Sequence, residues 1–466
     1  MTPPTLTLPP PSRGLADVLS ACVERLSAPV DPAGLAVFRV LFGLLIAGGS
    51  TRFLATGFLD KLYCDDAFYF RYPGFSWVPV PGPDVIAALY GVFVVLGLLI
   101  AVGLFFRVAA ALCTVLFLWV QLVDVTNYLN HYWLVLLLGA LLTVSPANAC
   151  FSLDARWFGA RRASIPLLFP ALFRFQVGCV YVFASLAKAG SDWLLYGQPL
   201  GLWLPARDEL PVIGALFSMP WVPLLFSWCG FLYDASIVPL LLWRRTRALA
   251  YVLVLVFHGL TYALFEIGMF PFIMATATTV FFHPAWPRRF FTATATATTT
   301  TATTAATTTL ARPVLLLALV WCVVHVALPL RHHALGGDVL WDEAGMRFSW
   351  RVMVREKSGS LAYRVTLPQG RVVVVGPHDL LTHRQANEMI GQPDLILQLA
   401  HHIRDDFAAR GQVVQVRADA LVSLNARRAT RFVDPDVDLA RVRDTLGRPS
   451  WILPAPSLPP RPSWQR

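Results

Sequence analysis

Nine separate apolar stretches constrain this chain more than any other feature. They lie at about residues 34–50, 84–106, 108–125, 131–147, 168–188, 211–242, 248–265, 267–283 and 313–330. A helix crosses a bilayer with roughly 20 consecutive apolar residues, and its backbone groups must be satisfied internally. The whole chain is 56% hydrophobic and 14% charged, with a mean hydropathy of +0.58. That leaves too little polar surface for a water-soluble fold. The fold class is a polytopic α-helical membrane domain of about nine spans, with eight as an alternative because some stretches are short. The sixth stretch is too long for one simple crossing and is expected to include a surface or re-entrant piece around Pro220.

Arginine placement orients the spans. With the N-terminus cytoplasmic, the inner segments hold Arg13, Arg25, Arg107, Arg156, Arg161, Arg162, Arg244, Arg245, Arg247, Arg288, Arg289 and Arg312. The outer segments hold only Arg52, Lys61, Arg71, Lys188 and Arg207. Positive residues concentrate on the cytoplasmic side, so this orientation is favoured and everything after the ninth span lies outside. The formal charge of +10 is read for topology, not for nucleic acid, because no basic patch with interleaved aromatics occurs. The first 30 residues lack the compact apolar core of a cleavable signal peptide; they form a Pro-rich, then mildly amphipathic cytoplasmic lead. Seven scattered cysteines without metal-ligand spacing imply neither a disulfide framework nor a metal site.

The membrane domain is expected over 31–330, with a low-complexity Thr/Ala linker at 292–310 between the last two spans. A small α+β extracytoplasmic domain is expected over 331–452, followed by a Pro-rich, disordered or extended tail at 453–466. Within that domain, Met346–Arg355, Leu361–Leu367, Gly370–Gly376, Gln412–Asn425 and Ala429–Val433 read as strands. Ala386–Ala409 reads as two helical pieces broken at Gly391–Pro393.

Only three of the 38 basic residues are lysines, and Lys188 ends the fifth span. An ionisable group at a membrane boundary is costly to keep there. A lysine deprived of water can lose its proton and act as a base, which arginine cannot do. A snorkelling anchor is the plainer reading. Asn127, Asn130 and His131 sit in the outer turn between spans three and four. Glu266 and Gly268 lie in the outer turn between spans seven and eight, with His258 about two turns deeper. An amine, an imidazole and an amide around an apolar cavity suit a polar redox ligand. Helix capping by Asn130 and His131, and an interhelical hydrogen bond at His258, remain open. Asp192 reads as a partner of Lys188 or a cap, and Asp124 and Asp234 as structural partners. Arg39 and Arg174, inside spans one and five, need partners that the sequence does not name.

Seven motifs in order give the chain a family resemblance. They are DPAGLAVFRVLFG at Asp31–Gly43, NYLNHYW at Asn127–Trp133, YVFASLAKAGSDW at Tyr181–Trp193, EIGMFP at Glu266–Pro271, HPAWPR at His283–Arg288, RFSWRVM at Arg347–Met353 and RFVDPDVD at Arg431–Asp438. The chain resembles the vitamin K-dependent gamma-carboxylase family, including bacterial relatives that share its horizontally transferred transmembrane domain. The resemblance implies an inner-membrane enzyme that couples oxygenation of a vitamin K or menaquinol hydroquinone to its epoxide with carboxylation of glutamate side chains. Oxygen and carbon dioxide would be co-substrates, and a glutamate-containing peptide or protein the partner. It implies catalytic roles for Lys188 and His131 and substrate binding by Trp350 and Arg355; Asn127, Asn130, His258, Met269 and Phe270 are the candidate cofactor-binding residues, and no metal is expected. Other uses of the same scaffold stay open: a non-carboxylating quinol or lipid enzyme, or a lipid-binding protein. Two departures stand out. Phe70 lies near the first cysteine of a bridge that animal members carry, and Arg355 replaces their histidine.

Overall fold

The computed structural model describes residues 14–211, 213–290, 310–445 and 447–465. Residues 1–13 and nearly all of the Thr/Ala stretch fall outside these. Seven described helices are long and apolar enough to cross a membrane: Ala33–Ala55, Pro83–Val102, Phe106–Val123, Leu168–Lys188, Val222–Leu242, Arg247–Leu264 and Arg312–Leu330. Two shorter apolar helices, Asn130–Val144 and Phe270–Phe281, take the fourth and eighth places in order. The sixth stretch divides where its length demanded. A short turn of helix at Gly214–Phe217 precedes the span proper, which starts at Val222 with Pro223 in its first turn. Proline is tolerated there because the first amides have no intrahelical acceptor.

The first two spans pack at near backbone contact. A Cβ placed on Gly43 would lie 2.4 Å from the Gly97 carbonyl oxygen, and one on Gly97 would lie 2.7 Å from the Ala47 nitrogen. Small residues permit such an approach, and dispersion between the backbones holds it. Arg39 lies on the same helix with no exposed surface. Its guanidinium donates to the carbonyls of Ile100 and Ala101, where the second span ends, and to those of Ala147 and Phe151. The cation thereby joins carbonyls at the end of the second span to those of the loop that follows the fourth apolar helix. Arg174 likewise donates to the Val280 and Phe282 carbonyls. Strands β1 (Pro29–Val30) and β2 (Ile165–Pro166) pair antiparallel beside the starts of spans one and five.

After the ninth span comes a four-stranded antiparallel sheet in the order β4-β3-β5-β6. Its strands are β3 (Lys357–Thr366), β4 (Val372–Val375), β5 (Gln415–Leu424) and β6 (Thr430–Arg431). Helices His383–Met389 and Pro393–Ala409 are broken at Gly391, whose φ of 80° suits only glycine at low cost. The helices pack on the sheet through a core that includes Val365, Val416, Ile396 and Leu399. The expected strand at Met346–Arg355 does not form. Phe348, Trp350 and Met353 have φ values of 63°, 58° and 58°, which break an extended run. Trp350 is thereby turned into the core of the spans, at 1% exposure.

The domains are joined well beyond the chain connection. Phe70, from the first outer loop, is fully buried in the core of the C-terminal domain. Around it, Gln385 donates to the Phe68 carbonyl at 2.8 Å and to Asp124 at 2.9 Å, and Thr382 donates to Asp66 at 2.9 Å. Apolar burial and this buried polar seam thus tie the first outer loop to the C-terminal domain. The Pro-rich tail is extended and bound: the Ser463 amide donates to the Tyr196 carbonyl at 2.9 Å. Replacing Gly43 with valine should force spans one and two apart and cost about 1–3 kcal/mol, read as a lower unfolding temperature in detergent. Gly91, with no atom near its missing Cβ, should accept alanine with far less loss.

Candidate functional site

Three helices bring their polar residues to one cavity of about 230 Å³. On the fifth span Tyr181, Ala184 and Lys188 share a face at helical spacing, and all line it. On the sixth, Gly230 and Asp234 are one turn apart. The seventh contributes His258 and Thr261, and the eighth Phe270 and Met274. The rest of the lining is largely apolar, including Leu200, Leu225, Phe226, Leu264 and Val352.

Lys188 is not alone in these surroundings. Its Nζ donates to Asp234 Oδ2 at 2.8 Å, and both side chains are only 7% exposed. The Trp193 ring lies 5.3 Å from the same nitrogen, held in place by its own Nε1 donating to the Ser227 carbonyl at 2.6 Å. Asp192, expected to pair with Lys188 or to cap, turns the other way. It receives two bonds from Arg427, at 2.6 and 2.7 Å, and one from Asn425 at 3.0 Å. Asp192 and Asp234 therefore have distinct partners: one docks the C-terminal domain, the other pairs with the amine. From the sequence Asp234 reads as a structural partner near a span end. What could not be read was that it would meet Lys188, 46 residues away.

His258 Nε2 lies 3.1 Å from the Tyr181 hydroxyl, while its buried Nδ1 has no hydrogen-bond partner among the described residues. Phe270 bridges the two histidines, with ring centroids 5.4 Å from His258 and 5.8 Å from His131. His131 is buried beside Tyr132 but lines neither main cavity. Asn127 donates to the Leu62 carbonyl at 3.1 Å, and its buried Oδ1 has no hydrogen-bond partner among the described residues. Met269 faces a separate apolar space of about 70 Å³ with Tyr132 and Ile273. The structure thus gathers Lys188, His258 and Phe270 and leaves Asn127 and Met269 outside that cavity.

A second cavity of about 210 Å³ lies on the far side of the Val352–Arg355 segment. Asn130 reaches it and accepts a hydrogen bond from Tyr128 at 3.0 Å. Arg347, Arg351 and Arg355 line it with Glu343, Glu388 and Gln392. Arg355 pairs with Glu343, which also accepts from Lys357 at 2.8 Å. Burial alone would raise the Glu343 carboxyl, but Arg355 and Lys357 hold it below its ordinary value. Burial brings the Lys357 amine down to about 8, against the opposing pull of Glu343. Glu388 is raised by burial, partly offset by Arg355 and Arg347. Trp350 lines neither cavity. Glu343, Glu388 and Lys357 carried no motif signal, because their roles come from a turn and two elements meeting.

A bundle of membrane helices with a buried amine–carboxylate pair at its outer edge is capped by an α+β domain whose cavity is lined by three arginines and two glutamates. The HTTM domain family matches residues 27–286, more than half of the chain. The lumenal domain of vitamin K-dependent gamma-carboxylase matches residues 310–457. The chain belongs to the vitamin K-dependent gamma-carboxylase family: it is a gamma-carboxylase-like integral membrane protein with an extracytoplasmic C-terminal domain. No solved structure matches the chain.

Removing one member of the buried pair leaves an uncompensated charge, at a cost of about 3–5 kcal/mol. Asp234→Asn should therefore lower the unfolding temperature in detergent. The double variant Lys188→Met/Asp234→Asn should recover most of that loss. Equal destabilisation in both would show that the two groups do not act as a pair.

Proposed function

We propose that this protein is a gamma-glutamyl carboxylase that uses a reduced naphthoquinone, with Lys188 as its base. The observation supporting this most directly is the pairing of two unlike cavities across one short segment. One is apolar and contains a buried amine; the other is lined by three arginines. With the N-terminus cytoplasmic, as the arginine distribution favours, both lie on the outer side of the membrane.

The apolar cavity suits the ring of a naphthoquinone. Whole drug-sized ligands occupy roughly 300–1,000 Å³, so about 230 Å³ accommodates a ring and leaves an isoprenoid tail to the bilayer. The side chains that would hold it are Lys188, His258, Phe270 and Met274. The unpartnered Nδ1 of His258 is a buried polar atom of the kind a ring oxygen satisfies. When bound, the hydroquinone would supply, with dioxygen, a base strong enough to remove a γ-hydrogen from glutamate.

Around that chemistry the chain's own groups divide the work. Asp234 takes the proton of the paired Lys188 ammonium across their 2.8 Å hydrogen bond, and the amine so freed accepts a hydroxyl proton. Trp193, whose ring lies 5.3 Å from the nitrogen, helps to fix the amine's position. His131, packed against Phe270, positions that ring. The apolar lining keeps water from quenching a strongly basic species. In the other cavity, Arg347 and Arg355 hold the carboxylate of a glutamyl substrate, a geometry for which guanidinium is well matched. Trp350 supports this segment from the core without contacting substrate.

Labelled bicarbonate fixation into a glutamate-containing peptide, dependent on reduced menaquinone and oxygen, tests the reading. Lys188→Ala is expected to abolish both fixation and epoxide formation. Quinol oxidation with no fixed label in the wild-type protein would instead indicate a non-carboxylating quinol enzyme. A pH series gives a second test. Below about pH 8 the Lys357 ammonium helps neutralise Glu343, and above it that proton is lost. Binding of an acidic peptide should weaken as pH rises through about 8, and Lys357→Arg should remove the step.

A further inference from the structure

The Val352–Arg355 segment is the boundary between the two cavities, and its residues sort by side. Val352 faces the apolar cavity, whereas Val354 and Arg355 face the cationic one. Among the described residues, Met353 alone lines both. Its φ of 58° places an L side chain in the left-handed region, as do those of Trp350 and Phe348 nearby. Such strain persists only where surrounding contacts hold it, and it concentrates at ligand clamps and switches.

Those contacts are present. Asn425 Nδ2 donates to the Val354 carbonyl at 3.1 Å and to Asp192 at 3.0 Å, and its Oδ1 accepts from the Glu356 amide at 2.8 Å. Asn425 is fully buried. The boundary segment is thus fastened to the chain four residues beyond Lys188, so its distance from the amine is set by a side-chain clamp.

We propose that the Met353 side chain is the partition between the apolar and cationic cavities, and that it determines how tightly events in one are coupled to events in the other. An unbranched thioether suits this task. It excludes water, yet its three rotatable bonds let it yield to a ligand on either side. The coupling part rests on the carboxylase reading above, which assigns different reactants to the two cavities. The partition itself does not.

The test uses Cys229, which lines the apolar cavity and is exposed at mid-span. In lipid nanodiscs, 2-sulfonatoethyl methanethiosulfonate is kept out of the bilayer by its charge. It can enter through the cationic cavity, where the Arg355 side chain is 24% exposed to solvent. Met353→Gly removes the partition and suits the backbone at that φ. Met353→Leu keeps the bulk, and exposed Cys22 serves as an internal control. Site-resolved mass spectrometry should show Cys229 modified on the order of tenfold faster in Met353→Gly than in wild type or Met353→Leu. Equal rates in all three would overturn the proposal. A second readout is the ratio of quinone epoxide to carboxylated glutamate. Met353→Gly should raise it, whereas a purely structural role would lower both products together. A wild-type protein that fixes no carbon dioxide would overturn the carboxylase reading, while the labelling rates would still decide the partition.

Discussion

A charged amine held between membrane helices is the constraint on which the outer half of this structure depends. Lys188 cannot be left unpaired there, because a lone ammonium loses several kcal/mol of hydration in apolar surroundings. Asp234 answers that cost at 2.8 Å, and in doing so fixes the end of the fifth span against the middle of the sixth. The Trp193 ring lies 5.3 Å from the same nitrogen and is itself tied to the sixth span at Ser227. An ion pair of this sort contributes little net stability, since attraction mainly offsets desolvation. What it supplies is position: an amine nitrogen at a defined place on the wall of an apolar cavity.

The second organising feature is that the functional region lies where two domains meet. Asp192, four residues after Lys188, is clamped by Arg427 and Asn425 from the C-terminal domain. The same Asn425 holds the Val354 carbonyl. One buried side chain therefore ties the end of the lysine helix to the segment dividing the cavities. On the opposite side, Phe70 and the Asp66–Asp124–Gln385 seam bind the first outer loop to the C-terminal core. Neither cavity would keep its shape if the domains were free to separate, because each is lined from both domains.

Much of the fold was legible because bilayer solvation leaves few choices. A run of apolar residues near 20 long must be helical and must cross; among the described residues seven of the nine stretches hold helices long and apolar enough to do so, with shorter helices in the fourth and eighth. The sixth was rightly read as too long, since Pro220 and its neighbours cannot continue a helix into Val222–Leu242. The strand reading of Met346–Arg355 failed for an instructive reason. Alternating apolar and charged residues satisfy a sheet pattern, but here the apolar residues are drawn into different surroundings. Trp350 goes to the membrane core and Met353 to the cavity boundary, and left-handed residues accommodate the divergence.

By itself, the sequence determined the membrane class, the helical spans, the C-terminal α+β domain and the family. It also singled out Lys188, because each of these follows from local composition, periodicity or an ordered set of motifs. Only the tertiary structure decided the partners. It matched Lys188 with Asp234 and not Asp192, gave Arg39 and Arg174 their carbonyls, set Glu343 between Arg355 and Lys357, and placed Met353 between two cavities. The physical reason is that an ionisable side chain buried from water takes whichever opposite charge or carbonyl the packing brings within about 3 Å. Packing joins residues tens to hundreds of positions apart, and no periodicity in the chain records which ones.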